Sequence, residues 1–381
     1  MRVLYMVDNF TACGGAHVAT KKLIRKHLEE GDCVGVVHLD HIANCIKKEY
    51  KDVEFYHFPL VRYSFRWFLQ RVIYKWFNSA VYPCFLIDPW GKIRRIMRSY
   101  DVVCVPSEES ILRPLLLGVG KSVKKIVLIH MNYDLWLEKN ETAYKHAWCD
   151  QALFHAVDKI GVVGAIGANQ LKKRYPQYAP KIYPFYNLID VYNGFRESVY
   201  QRDNYGEGCI RLISLVRIQD KAGKDCDRMI RVARILKSAN ISFIWDVYGG
   251  DEVSVNQYRI IASDVADVFR LHGHQQDATE KIKFSDLMVL LSHCEGLPNV
   301  IYESLISGTP VFSTNVAGIP EQIIDGKTGW LVDDDEFQIV HRLKNVLSNK
   351  QCICKCHKNL ENYTYDNERV WNEYVKFFFD R

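Results

Sequence analysis

At 381 residues the chain is too long for one ordinary core and suits two domains of about 150 to 200 residues each. Hydrophobic residues at 48% and charged residues at 25% exclude a disordered or fibrous chain. A net charge of +5 over this length leaves any acidic partner to local clustering, and the longest uncharged run, Ser304 to Pro320, is too rich in Gly, Pro and polar residues to span a membrane.

In chain order, candidate strands are Val3 to Val7, Val34 to His38, Val102 to Val105, Ile126 to Ile129 and Ile160 to Val163. The rhythm repeats with Ile210 to Val216, Phe243 to Tyr248, Val268 to Leu271, Leu287 to Leu291 and Pro310 to Ser313. Helical patterns lie between them, which predicts an α/β fold with two parallel sheets covered on both faces. The opening MRVLYMVDNF lacks the layout of a secretory signal, and twelve cysteines scattered through a chain of this size fit a reducing compartment. A cytoplasmic protein is the expectation.

The loop after the first strand, DNFTACGGAHVATKKLI, opens the first helix, and Gly14 with Gly15 allows close backbone approach there. The pair does not complete G-x-G-x-x-G, so a nicotinamide cofactor has no support. Residues 60–100 hold eight Lys or Arg against one acid, Asp88, a basic excess accompanied by Phe65, Phe68, Leu69, Val72, Ile73, Trp76 and Phe77 on one helical face. That shoulder suits a helix lying among lipid headgroups, or a core helix whose arginines snorkel to water. No nucleic-acid-binding motif accompanies the charge, so nucleic acid is not an expected partner.

The stretch KIYPFYNLIDVYNGFRESVYQRDNYGEG is poor in periodicity and places the domain connection at about Asn187 to Gly208. The domains are then 1–200 and 201–361. Val370, Trp371, Tyr374, Val375, Phe377 and Phe378 have helical spacing, so a helix within 362–381 is expected to pack back on the first domain. Cys352, Cys354, Cys356 and His357 in QCICKCHK have no second pair at a zinc-like distance and read as structural.

The chemistry concentrates in SHCEGLPNVIYESLISGTPVFSTNVAGIPEQIIDGKTGWLV, residues 292–332. In open parallel sheets, ligands sit beyond the carboxyl ends of strands, where loops lead into helix N-termini. On that reading Glu295 projects from the loop after a strand, and Glu303 lies about one turn inside the helix that Pro298 helps to start. A carboxylate accepts two hydrogen bonds from a vicinal diol. The backbone around Gly296, Leu297, Pro298 and Asn299 adds amide donors and a positive helix end.

This signature closely resembles that of the retaining glycosyltransferases of family 4, which pair two Rossmann-like domains in the arrangement called GT-B. The resemblance implies that Glu303 holds the donor ribose hydroxyls and that Glu295 sits at the donor sugar ring. SLVRIQDKAGKDCDRMI is similar to the family element in which an arginine and a lysine clamp the donor diphosphate. Arg217 matches the arginine. Lys224 aligns best with the lysine, but the loop is longer than usual and the customary glycine is Asp225, so Lys221 is a rival. Two fixed cations at a strand end neutralise a leaving diphosphate without a metal. The D-x-D sequences are Asp225 with Asp227, and 333–335; the latter begins a helical pattern, where acids satisfy free amides. No metal and no cofactor is expected.

His130, directly after a strand in IVLIHMNYD, matches the family's active-site histidine facing the donor sugar. Gly14 and Gly15 match a loop beside the donor phosphate or the acceptor. Asp158 receives no role, because Gly164 stands where the family has a serine. His272 and His274 in LHGH are candidates for the base pocket. The resemblance thus implies retaining, same-face transfer of a hexose-type sugar in polysaccharide biosynthesis. The donor would be a nucleotide diphosphate sugar, UDP being the commoner base, held in a cleft between the domains. The acceptor would be a hydroxyl of a glycan or a lipid-linked molecule, with peripheral membrane contact through 60–100 if the shoulder meets lipid. The alternatives are a nucleotide-sugar epimerase of the same architecture and an inactive glycosyltransferase-like binding subunit; the latter should lack the cleft residues, yet Glu295, Glu303 and Arg217 are all present.

Overall fold

The computed structural model describes the chain except residues 12–13, 43, 59–87, 89–90, 108–111, 135–146, 191–207, 222, 276–277 and 381. The basic, aromatic face from Phe65 to Phe77 lies outside the described residues. Two compact units form: Met1–Leu188 together with Glu368–Arg381, and Ile189–Asn367. The junction thus falls before residue 200. At that point the Asn367 side chain holds both the amide and the carbonyl of Ile189, at 2.9 and 2.7 Å.

The first unit is a seven-stranded parallel sheet in the order β3-β2-β1-β4-β5-β6-β7. Its strands are β1 (Arg2–Val7), β2 (Cys33–His38), β3 (Val53–His57), β4 (Val102–Val105), β5 (Lys124–Ile129), β6 (Lys159–Val163) and β7 (Ile182–Phe185). The described helices of this part are α1 (Gly15–Glu29), α2 (Asn44–Glu49), α3 (Lys92–Met97), α4 (Ala147–Ala156) and α5 (Ala165–Arg174). Asp88 starts α3, accepting from the amides of Ile93 and Arg94 at 3.2 and 3.0 Å.

The second unit is a six-stranded parallel sheet in the order β10-β9-β8-β11-β12-β13. It comprises β8 (Ile210–Leu215), β9 (Phe243–Tyr248), β10 (Phe269–Gly273), β11 (Leu287–Leu290), β12 (Val311–Thr314) and β13 (Gly329–Val332). Its helices are α6 (Cys226–Ser238), α7 (Glu252–Ile261), α8 (Ala278–Lys281), α9 (Asn299–Ile306), α10 (Glu336–Ser348) and α11 (Lys350–Leu360). Burying an indole N–H unbonded would be unfavourable. The Trp245 indole instead donates to Ser214 Oγ at 2.9 Å, and that hydroxyl donates to the Val289 carbonyl at 2.5 Å, stitching β9, β8 and β11 inside the core.

The last helix, α12 (Asn367–Phe379), returns to the first unit, as its aromatic stripe predicts. Trp371, Tyr374, Phe378 and Phe379 are buried. The ring of His27 packs edge-on against Trp371 and Phe379, with centroids at 4.8 and 5.0 Å, and the Tyr374 hydroxyl lies 3.4 Å from that of Tyr5. A buried aromatic of this size contributes roughly 2 kcal/mol through the apolar area it removes from water, so four of them are enough to fix the helix in place.

Candidate functional site

In the second unit, β8 and β11 are paired in register, Leu212 with Leu287 and Ile213 with Met288. Their carboxyl ends are therefore neighbours, and the two segments that follow them meet. After β8 comes Arg217 and a turn leading to α6. Asp220 organises that turn: its carboxylate accepts from the Gly223 amide at 2.9 Å, and its carbonyl accepts from the Lys224 amide at 2.8 Å. The side chain of Lys224 is thereby directed to the loop after β11, where its ammonium hydrogen-bonds the Glu295 carboxylate. The two side chains are 17% and 9% exposed, so the pair sits mostly out of water. Lys221, the rival in sequence, is 74% exposed and 3.9 Å from Asp227. The geometry thus joins Lys224, and not Lys221, to Glu295. Arg217 is 66% exposed, its guanidinium 3.8 Å from Asp220, which leaves it available to an anion.

The loop carrying Gly296, Leu297, Pro298 and Asn299 is held from below. The carbonyl of Gly296 accepts from the Gly318 amide at 3.0 Å, and that of Pro298 accepts from Gln322 Nε2 at 3.0 Å. A Cβ on Gly318 would stand 2.5 Å from the Gly296 carbonyl oxygen, closer than any side chain tolerates. Pro298 occupies the N-cap position of α9 with ψ at 119°, and Asn299 is the first helical residue. Glu303 follows one turn on and is half-buried.

Behind this loop lies a group in which the sequence offered Asp225 and Asp334 only as parts of D-x-D runs and gave Arg228 and His293 no role. Asp225 accepts from the Arg228 amide at 3.0 Å, capping α6, and pairs with His293 Nε2 at 3.1 Å. His293 Nδ1 lies 2.9 Å from Asp334, and Arg228 donates to Asp334 at 2.6 Å. Burial opposes ionisation of Asp334, but the hydrogen bonds from His293 and Arg228 outweigh it and hold the carboxyl below the usual range. These residues come from three distant segments, so spacing gave no sign that they meet. Asp335 caps α10 by accepting from the Gln338 amide at 2.9 Å, in keeping with an acidic run at a helix start.

In the first unit, β1, β4 and β5 are successive neighbours, and their carboxyl ends gather Gly14, Gly15 and His130. Gly14 precedes α1 and Gly15 is its first residue. A Cβ on Gly14 would lie 3.2 Å from His17 Nδ1, whereas one on Gly15 would meet nothing within 4 Å, so the steric demand falls on Gly14. Beside them is a cavity of about 200 Å³ lined by Asp8, Asn9, Phe10, His17, Lys21 and Ser107. His130 is buried edge-on to Phe185, with centroids at 5.1 Å. Burial, and secondarily the charge of His17, lower its pKa to about 3. The imidazole is therefore neutral near pH 7, suited to a sugar hydroxyl rather than to a phosphate.

Several other marked residues have local partners. Asp158 accepts from the Lys125 amide at 2.8 Å. His272 pairs with Asp246 at 2.6 Å and stacks on Tyr248 at 4.5 Å, while His274 is exposed. His357 faces the carbonyls of Gly308 and Asp286 at 2.7 and 2.9 Å, and burial pushes the Cys356 thiol up to about 12. Among the described residues no cluster of three His, Cys, Asp or Glu has the geometry to hold a metal ion. No described helix is long and apolar enough to cross a membrane.

A family model described as "Glycosyl transferases group 1" matches residues 206–367. Among curated relatives, the putative colanic acid biosynthesis glycosyltransferase WcaL of Salmonella typhimurium is 28% identical over 143 residues, 34% of each chain. The amylovoran biosynthesis glycosyltransferase AmsK of Erwinia amylovora is 29% identical over 138 residues, 34% of this chain and 33% of that one. The similarity thus spans about a third of those relatives' length. Over the whole chain, S. aureus TarM, crystallised with fondaparinux, α-GlcNAc-glycerol and UDP, superposes with a TM-score of 0.74 at 12% identity, covering 99% of both chains. Anabaena HepE with UDP-glucose gives 0.74 at 14% identity over 100% of both. The fold is GT-B. Within it, the residues matched by the family model run from just before β8 to the start of α12, which includes Arg217, Lys224, Glu295 and Glu303.

Proposed function

We propose that the protein is a retaining glycosyltransferase of family 4. It moves a hexose-type sugar from a nucleotide diphosphate, UDP by preference, to a hydroxyl of a glycan or lipid-linked acceptor. The observation that carries this reading is the Lys224–Glu295 pair at the joined ends of β8 and β11, beside the exposed Arg217. Arg217 and Lys224 supply positive charge for a diphosphate, both before and after the glycosidic bond breaks. Glu303 takes the ribose diol and Glu295 the sugar hydroxyls, each as an acceptor. The departing diphosphate takes the acceptor's proton, so that no residue need form a covalent intermediate and the two cations make a metal unnecessary. His130 contributes a neutral hydrogen-bonding group, and the Gly14–Gly15 end of α1 receives the donor phosphate or the acceptor. The names of WcaL and AmsK, both in polysaccharide biosynthesis, and the UDP bound in the TarM and HepE structures support the donor and acceptor classes.

The test is a thermal-shift panel of nucleotides and nucleotide sugars, since a ligand that binds the native state stabilises it by mass action. UDP and a UDP-sugar should raise the melting temperature. Arg217→Ala should weaken that response about tenfold or more in ligand concentration, and Glu303→Ala should abolish turnover with the fold intact. Full response and near-normal turnover in both variants would reject the assignment, and an epimeric sugar nucleotide formed without acceptor would make the enzyme an epimerase.

A further inference from the structure

Asp225 has φ at 42° and ψ at 72°, a left-handed conformation that glycine adopts freely and other L-residues resist. It follows Lys224 directly, at the position where the resembled family has its glycine. A residue held against its backbone preference needs compensation from its surroundings. Here the carboxylate supplies it twice: it caps the Arg228 amide at 3.0 Å and bonds His293 Nε2 at 3.1 Å. His293 is two residues before Glu295. Its amide donates to the carbonyl of Gly223 at 2.8 Å, and its other ring nitrogen, Nδ1, meets Asp334 at 2.9 Å. Arg228, 5% exposed, closes the ring of contacts by donating to Asp334 at 2.6 Å and to the Leu291 carbonyl at 3.4 Å. One imidazole therefore ties together the turn that carries Lys224 and the loop that carries Glu295.

We propose that Asp225 and His293 are positioning residues, which hold the Lys224 ammonium and the Glu295 carboxylate at the separation that receives a nucleotide diphosphate sugar. The inference rests on the functional reading above and adds to it the device that fixes the two groups. Each acts through the residue beside it, and glycine at 225 would relieve the backbone but lose the tether.

Asp225→Gly separates positioning from stability, because it relieves the backbone while deleting the carboxylate. The melting temperature of Asp225→Gly should stay within a few degrees of wild type, while kcat/KM for the UDP-sugar falls roughly a hundredfold, mostly in kcat. His293→Ala should give a loss of the same order, and the double variant little more than either single one. Asp225→Asn, whose Oδ1 still accepts from the Arg228 amide and whose Nδ2 can donate to an unprotonated His293 Nε2, should recover most of the rate. Wild-type protein that neither binds UDP nor turns over a UDP-sugar would remove the functional reading itself. With an active wild type, kcat/KM within twofold in Asp225→Gly and His293→Ala would overturn the positioning role. So would losses that track the melting temperature and are not rescued by Asp225→Asn.

Discussion

The ammonium of Lys224 hydrogen-bonds the carboxylate of Glu295, 71 residues further along the chain, with both side chains mostly withdrawn from water. Such a pair is weak evidence of net stabilisation, because desolvating two charges offsets most of their attraction. Breaking it is another matter. Lys224→Met or Glu295→Met leaves one buried group without its partner and should destabilise the second unit by about 3 kcal/mol, whereas the double variant should sit within about 1 kcal/mol of wild type. Urea unfolding of the four proteins checks this. Additive losses in the double variant would mean that the two groups do not interact in solution.

A second consequence concerns pH. Burial, with the His17 charge adding to it, lowers the His130 pKa to about 3, against roughly 6.5 in an unfolded chain. Between those values the unfolded chain binds a proton that the folded one does not. The group's contribution to stability is therefore full above about 6.5 and is lost as the pH falls towards 3, at about 1.4 kcal/mol per pH unit. His130→Asn removes this linkage. Between pH 7.5 and pH 5.0, wild type should lose about 2 kcal/mol more than the variant in the transition of the first unit. Parallel losses in the two proteins would show that His130 is not buried as a neutral group.

How far the fold was legible in the chain depended on burial. Val102–Val105 and Phe243–Tyr248 stand in the structure with the bounds their patterns predict, because an interior parallel strand is apolar on both faces and reads as one run. The patterns do not mark β3, β7 or β13, and all three are edge strands. β3 buries only Val53 fully in VEFYH, and β7 carries Pro184, which an edge tolerates and an interior strand does not. At the site, Glu295 and Glu303 were legible because a strand, loop and helix succeed one another locally. The choice of Lys224 over Lys221 was not, since it depends on the turn that Asp220 folds. Asp225, Arg228, His293 and Asp334 were less legible still, because only the sheet register brings their segments together.

Gly318 offers the sharpest steric test of the loop between β11 and α9. Its φ of −83° suits any residue, so the demand for glycine comes from contact alone: a Cβ would stand 2.5 Å from the Gly296 carbonyl oxygen and 3.1 Å from the Leu297 side chain. Backbone cannot swing aside as a side chain can, so Gly318→Ala must push the loop after Glu295 outward. The strain should cost about 1 to 3 kcal/mol, and part of it is relieved by breaking the 3.0 Å bond from the Gly318 amide to Gly296. Displacing Gly296 moves the amides that precede α9, so affinity for a UDP-sugar should fall at least tenfold in calorimetry, more than affinity for UDP. Gly208→Ala is the control, because a Cβ there meets nothing within 4 Å. If Gly318→Ala binds both ligands as wild type does, the loop yields freely and its amides are not held in place for the sugar.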